Sequence, residues 1–191
     1  MQTFIVKDLM VPLSEYATVH EDATLFEAVS TLEKAQEEFD HTRYRHRAIL
    51  VLNADGRVVG KISQLDVLKA LEPKYAEMAG QKGMHNFGFS KEFTVSLIKS
   101  YGMWSTPLMD LCRKALQTRA RNIMYTPSEG EYVEEGASLD QAVHQLVMGH
   151  HQSLLVARGD KITGILRLTD VFAAVFHAMK ECQKEHGGSA G

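Results

Sequence analysis

Ser63 and Asp66 stand three residues apart in GKISQLDV (60–67), at the point where an apolar run gives way to helical spacing. A strand ending at Ser63 and a helix beginning near Leu65 would set both side chains above the first helical turn. Unpaired backbone N–H groups favour anions there. A carboxylate at that spot can accept hydrogen bonds from two vicinal ribose hydroxyls, and a serine hydroxyl can donate to a phosphate or sugar oxygen. The same spacing has the form of a helix cap, with Ser63 as N-cap and Asp66 at the positive end of the helix. Spacing alone favours the cap, and the two roles are compatible.

GILRLTDV (164–171) repeats the eight residues with glycine, aspartate and valine in register, but Arg167 takes the place of the serine. Asp170 remains, and Thr169 can serve as a cap. An arginine here has three options. It can bring a bidentate cation to a phosphate. It can pair with Asp170 three residues on, so that neither group is free. It can also fill the cleft. An altered or occluded second site is favoured over an intact one.

The elements that must carry these residues are duplicated as well. VHEDATLFEAV (19–29) matches VEEGASLDQAV (133–143), and AILVLNADGRVVGKISQLDV (48–67) matches SLLVARGDKITGILRLTDV (153–171). The offset is 114 from Ala23 to Ala137, and 104 from both Gly60 to Gly164 and Asp66 to Asp170. Constant offsets on either side of one length change are the mark of duplication. Met10 in VKDLM aligns in the same way with Met124 in RNIM.

Each copy reads as short extended pieces at Ala17–His20 and Glu131–Val133. Capping-box forms follow at Thr24-x-x-Glu27 and Ser138-x-x-Gln141, each opening an amphipathic helix. Two apolar runs joined by Asp55-Gly56 or Arg158-Gly159-Asp160 then predict a hairpin, and a second helix begins near Leu65 or Thr169. The fold class is therefore α/β (α+β), two β-α-β-β-α repeats. Neither copy is large enough to bury much core alone, so the two are expected to pack on one another.

The remaining features each carry a plain alternative. HTRYRHR (41–47), with Arg43, Arg45 and Arg47, lies beside the second strand and could meet phosphates. A solvated loop balancing EKAQEEFD (33–40) explains it better. His144, His150 and His151 match no metal template, and Cys112 and Cys182 are remote, so no metal is assigned. No phosphate loop, nucleophile elbow or His-Glu-x-x-His pattern occurs, and an enzyme is not expected. In the middle segment, Ser90 can cap one helix and Thr106-Pro107 can start another, carrying Leu108, Leu111, Cys112, Ala115 and Leu116 on one face. Met103 and Trp104 at its elbow are read first as core packing.

The chain has 191 residues, is 45% hydrophobic and carries a net charge of −3, which argues against a dedicated nucleic-acid binder. The charge is uneven: residues 1–73 hold 8 Lys+Arg against 12 Asp+Glu, residues 74–121 hold 8 against 3, and residues 122–191 hold 5 against 9. The basic middle suits an acidic partner, a phosphate, or the acidic repeats themselves. No apolar run approaches a membrane span, no signal-peptide core opens the chain, and two distant cysteines suit a reducing compartment. A cytoplasmic protein is expected.

The VKDLM opening, the DATLFEAV helix start and the DGRVVGKISQLDV ending, met twice in order, resemble the CBS domain, and the pair resembles a Bateman module. The resemblance covers residues 3–72 and 119–180. It leaves 73–118 as an unusually long helical insertion and 181–191 as a flexible C-terminal tail. It implies repeats packed with pseudo-two-fold symmetry, a homodimer, and an adenosine-containing regulatory ligand: AMP, ADP, ATP, S-adenosylmethionine or NAD. No cofactor is required, and an unknown protein partner would read the ligand state.

The family's Ser/Thr-x-x-Asp motif places ribose and phosphate contacts on Ser63 and Asp66, with Asp170 and Arg167 in the altered copy. The base contacts fall on Ala17–Val19, including Thr18, with Arg47–Ile49, and on Tyr132–Val133 with Ser153–Leu154. Many members carry a proline at the start of the second strand, and neither copy does here. The alternative is a ligand-free dimerisation or scaffold module whose eight-mers only cap helices. Nucleic-acid binding through the basic segment is a third, less favoured reading.

Overall fold

A computed structural model describes residues 4–37, 47–72 and 109–187, with isolated positions at 95–96, 99–100 and 102. In chain order the elements are α1 (Val6–Leu9), β1 (Val11–Pro12), β2 (Thr18–His20), α2 (Leu25–Glu37), β3 (Ala48–Leu52), β4 (Val58–Ser63) and α3 (Gln64–Leu71). They continue as α4 (Met109–Gln117), α5 (Ala120–Ile123), β5 (Tyr132–Glu134), α6 (Leu139–Met148), β6 (Ser153–Arg158), β7 (Lys161–Arg167) and α7 (Leu168–Gly187). Single 3₁₀ turns lie at Leu13–Glu15 and Glu129–Glu131.

The local signals act where the sequence places them. Glu27 N–H donates to Thr24 Oγ1 and Thr24 N–H to Glu27 Oε2, closing the first capping box. Ser138 Oγ accepts from Gln141 N–H in the second copy. Both hairpins turn through a glycine at positive φ, Gly56 at +72° and Gly159 at +58°. β2 pairs parallel with β3, which pairs antiparallel with β4; β5, β6 and β7 repeat the pattern.

The segment in front of each repeat pairs with the sheet of the other repeat rather than with the one that follows it. β1 pairs with β7 of the second repeat, giving the sheet order β1-β7-β6-β5, while Tyr125 pairs with Lys61 of β4 in the first. The exchange is reciprocal to the atom. Val6 N–H donates to Ala137 O and Ala120 N–H to Ala23 O; Lys7 N–H donates to Glu135 O and Arg121 N–H to Glu21 O. In each pair the two bonds are related by the offset of 114. Val6 is therefore buried with Val133, Leu154 and Leu166 of the second repeat, and Ala120 with Ile49 and Ile62 of the first. A third cluster of Val11, Tyr16, Leu50, Leu155 and Ile165 joins the repeats. Burying these faces against each other supplies the core that neither copy has alone.

The exchange also explains the repeated glycines. A Cβ on Gly164 would sit 2.5 Å from the Val11 carbonyl oxygen, and one on Gly60 would sit 2.7 Å from Met124 Sδ. Met10 and Met124, aligned by the sequence, occupy equivalent places over the two glycines.

Of the middle segment, α4 packs on α2 and α3, and Lys114 Nζ donates to the Leu71 carbonyl at the end of α3. Leu111 and Ala115 are half-buried, while Cys112 and Leu116 are exposed, so the apolar face is narrower than its spacing suggests. The expected helix start at Thr106-Pro107, the Ser90-capped helix, Met103 and Trp104 lie outside the described residues. One difference concerns the C-terminus. α7 runs to Gly187, so residues 181–187, read from the sequence as a flexible tail, continue the helix.

Candidate functional site

The strand-to-helix junctions of the two repeats meet across a cleft of about 430 Å³. Arg47, Lys61, Ser63 and Asp66 line it from the first repeat; His150, His151, Ser153 and Arg167 line it from the second. Tyr16, Tyr125 and Glu131, from the exchanged segments and their turns, complete the wall. The volume lies within the ordinary range for a small-molecule site.

Ser63 is the N-cap of α3. Its Oγ accepts from Asp66 N–H at 3.2 Å and donates to Asp66 Oδ2 at 2.6 Å, while Ser63 N–H donates to the same Oδ2 at 2.9 Å. The cap is formed. It uses only one of the two carboxylate oxygens: among the described residues, Asp66 Oδ1 accepts no hydrogen bond, and Asp66 lines the cleft.

The second junction is built differently. Arg167 is 6% exposed, and its guanidinium forks onto Asp170, Nε to Oδ2 at 2.6 Å and Nη2 to Oδ1 at 2.5 Å. The Arg167 N–H also donates to Oδ2 at 3.3 Å. Of its three options, Arg167 takes the pairing one, and both oxygens of Asp170 are occupied. Arg167 also borders a groove of about 670 Å³ lined by α1, Pro12, Asp170 and the Ala173–Ala174 face of α7, so it stands as a wall between the two spaces. Tyr16 is buried beside this pair. Burial pushes its phenol up to about 12; the Arg167 charge opposes that and the Asp170 charge adds to it.

The other expected contacts are placed unequally. Arg47 and Ser153 line the cleft. Thr18 is half-buried in β2, paired with Leu50, and is not among the lining residues. Ile49 is 1% exposed and its side chain belongs to the first-repeat core, as Leu154 belongs to the second. Ala17, Val19 and Val133 are buried, and Tyr132 is exposed away from the lining. His41, Arg43, Arg45 and His46 lie outside the described residues. His150 holds a left-handed backbone at φ +52°, with His150 N–H donating to Val147 O and His151 N–H to Leu146 O. This is a Schellman ending in which histidine sits where glycine is usual.

One polar cluster lies outside the repeated motifs. Lys61 Nζ is 2.5 Å from Glu131 Oε2, and the Glu131 side chain is only 2% exposed. Glu131 Oε1 accepts from Tyr125 OH at 2.6 Å, Ser128 N–H at 3.1 Å and Ser128 Oγ at 3.3 Å. Lys61 Nζ also lies 5.2 Å from the Tyr125 ring centre. Burial alone raises the Glu131 carboxyl, but the bonds from Lys61, Tyr125 and the Ser128 amide, with the Lys61 charge, outweigh it and hold the group at about 2. The Tyr125 phenol is raised, chiefly because it donates to that carboxylate. Two signals were present in the sequence: Ser128-x-x-Glu131 has capping-box form, and Lys61 is two residues from Ser63 on one strand, hence on the same face. Their equivalents in the other copy, Ala17 and Ile165, are apolar.

Among the described residues no group of His, Cys, Asp and Glu is arranged to hold a metal ion, and no helix is long and apolar enough to cross a membrane.

The CBS domain family model matches residues 6–73. No curated protein matches the chain. Among solved structures, CBSX2 from Arabidopsis thaliana is 18% identical over 94% of this chain and 99% of its own, with a TM-score of 0.59. A structure of CBSX2 in complex with AMP is 17% identical over 92% and 98%, with a TM-score of 0.57. The CBS domain of a CBS domain containing membrane protein from Sphaerobacter thermophilus is 19% identical over 88% and 86%, with a TM-score of 0.59.

Proposed function

Proceeding from a chain whose residues 6–73 are a CBS domain and whose fold is that of a CBS pair, we propose that it is a regulatory module that binds one adenosine-containing ligand through Ser63 and Asp66. The observation that carries this is the difference between the two aspartates. Asp66 lines a cleft of ligand size with one oxygen that accepts no hydrogen bond among the described residues, at the start of a helix, whereas Asp170 gives both oxygens to Arg167. The ligand class is AMP, ADP, ATP, S-adenosylmethionine or NAD, and the AMP complex of CBSX2 supports an adenosyl group. Neither a cofactor nor catalysis is part of this function.

The repeats at 3–72 and 119–180 form the sensor, and the insertion at 73–118 meets the first of them through α4. Occupancy changes the angle between repeats, and a protein partner in the cytoplasm reads that change. Leu168, Phe172, Val175 and Met179 leave an apolar row exposed along α7, with Leu65 and Leu68 exposed on α3, which supports a homodimer.

Calorimetric titration of nucleotide-free protein with AMP, ADP, ATP, S-adenosylmethionine and NAD tests the proposal. Binding of at least one at one site per chain, lost in Asp66→Ala, is the expected result. The absence of binding by all five overturns it. The ligand-free scaffold reading has its own support, because Ser63 and Asp66 already satisfy each other as a capping box. A ligand selective for the folded chain raises its melting temperature, and a scaffold shows no such rise with any of the five.

A further inference from the structure

The ion pair at the cleft wall is absent from the symmetry-related position, where Ala17 and Ile165 stand, and Lys61 takes no part in the bonds that Glu131 Oε1 makes with Ser128. Lys61 and Ser63 are alternate residues of β4, so their side chains share the face that lines the cleft. Arg47, at the strand opposite, is exposed and makes no side-chain ion pair among the described residues. A ligand whose ribose lies at Asp66 therefore has two cations within the same cleft, of which one is already engaged. The engagement is uneven: Glu131 Oε1 has three donors from its own turn and Tyr125, whereas Oε2 has only Lys61 among the described residues.

We propose that Lys61 is the specificity-determining cation of this cleft, that a phosphate on the ligand draws it from Glu131, and that the ligand is therefore a phosphate-bearing nucleotide rather than a neutral or sulfonium adenosyl compound. This rests on the ligand-binding reading above. Lys61 can leave Glu131 only for another anion, because a phosphate then takes the carboxylate's place as partner of the ammonium, whereas an uncharged group would leave the ammonium unpaired as well. Glu131 keeps Tyr125 and Ser128 when Lys61 leaves, so the turn that holds it stays formed. Movement of the Lys61 side chain then reports the arrival of phosphate to the segment that joins the second repeat to the first sheet.

The test is titration of the full chain at fixed ionic strength with inorganic pyrophosphate and, separately, with adenosine. The proteins are wild type, Glu131→Gln, Lys61→Met/Glu131→Gln and, as a control for general charge, Glu129→Gln at an exposed carboxylate two residues away in the same turn. Releasing Lys61 in Glu131→Gln is expected to tighten pyrophosphate binding by about tenfold, the usual scale for one charge-assisted hydrogen bond. The double variant, which leaves no unpaired buried charge, is expected to lose that gain and more. Glu129→Gln and every adenosine titration should stay within about twofold of wild type, as expected for groups that make no charge-assisted bond to the ligand.

Pyrophosphate binding that is equal in Glu131→Gln and the double variant overturns the assignment, as does an equal gain in Glu129→Gln, and so does no pyrophosphate binding in Glu131→Gln. Adenosine binding with a Lys61-independent pyrophosphate response removes this inference and leaves the adenosyl reading standing. A Lys61-dependent pyrophosphate response with no adenosine or nucleotide binding does the reverse.

Discussion

The Glu131 cluster makes a prediction that depends on no ligand. Its carboxyl is held at about 2 in the folded chain against an ordinary 4.5. A group whose folded pKa is depressed contributes stability above its unfolded value and loses that contribution as pH falls through its folded one. At about 1.4 kcal/mol per pH unit, the contribution is about 3 kcal/mol above pH 6, roughly half of that at pH 3 and nearly nil at pH 2. The perturbation is Glu131→Gln, which keeps the size and an acceptor for Tyr125 but removes the charge.

Urea unfolding followed by far-ultraviolet circular dichroism, for both proteins at pH 7, 4, 3 and 2, gives the difference directly. Other carboxyls titrate in both proteins and cancel, including Glu27 and Glu135, which are lowered by Thr24 and by Arg158 respectively. Wild type should be more stable than the variant by about 3 kcal/mol at pH 7, with the gap closing below pH 4. A gap that is independent of pH refutes the reasoning, because it would mean the loss is steric and the buried charge is not paired as described.

Three further outcomes follow from the same geometry. Gly164→Ala should cost about 2–3 kcal/mol in urea unfolding, because its Cβ meets the fixed Val11 carbonyl, while Gly60→Ala should cost about 1 kcal/mol, because a methionine side chain can move. Equal costs would refute the unequal exchange contacts. Tyr16, raised to about 12 by burial, is stabilising while neutral, so that contribution is present below pH 10 and lost as pH rises toward 12. Tyr16→Phe should remove up to about 3 kcal/mol of the alkaline loss of stability between those limits, and an unchanged alkaline transition would count against it. If an adenosyl ligand binds at Asp66 as proposed, Arg167→Ser, which restores the hydroxyl and frees Asp170, should raise its stoichiometry by calorimetry from one to two per chain. A value that stays at one would show that the arginine is not what closes the second motif.

Much of this architecture is written in short-range chemistry. Thr24 with Glu27, Ser138 with Gln141, Ser63 with Asp66, and the glycines at 56 and 159 each act within four residues of themselves, so their types and spacing suffice to place caps and turns. The constant offsets disclose two like units, and the burial of Leu25, Ala28 and Leu32, with Ala142 and Leu146, follows from helical period. Even the inequality of the two junctions is visible in the replacement of Ser63 by Arg167.

What the sequence leaves open is every contact whose partners are distant along it. The resemblance implies base contacts at Thr18 and Ile49, yet packing puts the Ile49 side chain in the first-repeat core and leaves Thr18, on another strand, off the cleft wall. Lys61 and Glu131 are 70 residues apart, and no local pattern brings a lysine to a carboxylate across that span. The reciprocal exchange of β1 and Tyr125 likewise depends on which apolar faces find each other once both repeats exist. Hydrophobic burial is non-directional and satisfied by any complementary face, so only the packed structure selects the pairing. The sequence by itself determined two capped, hairpin-bearing repeats with unlike motifs; the tertiary structure decided which aspartate keeps an oxygen for the cleft and which lysine stands beside it.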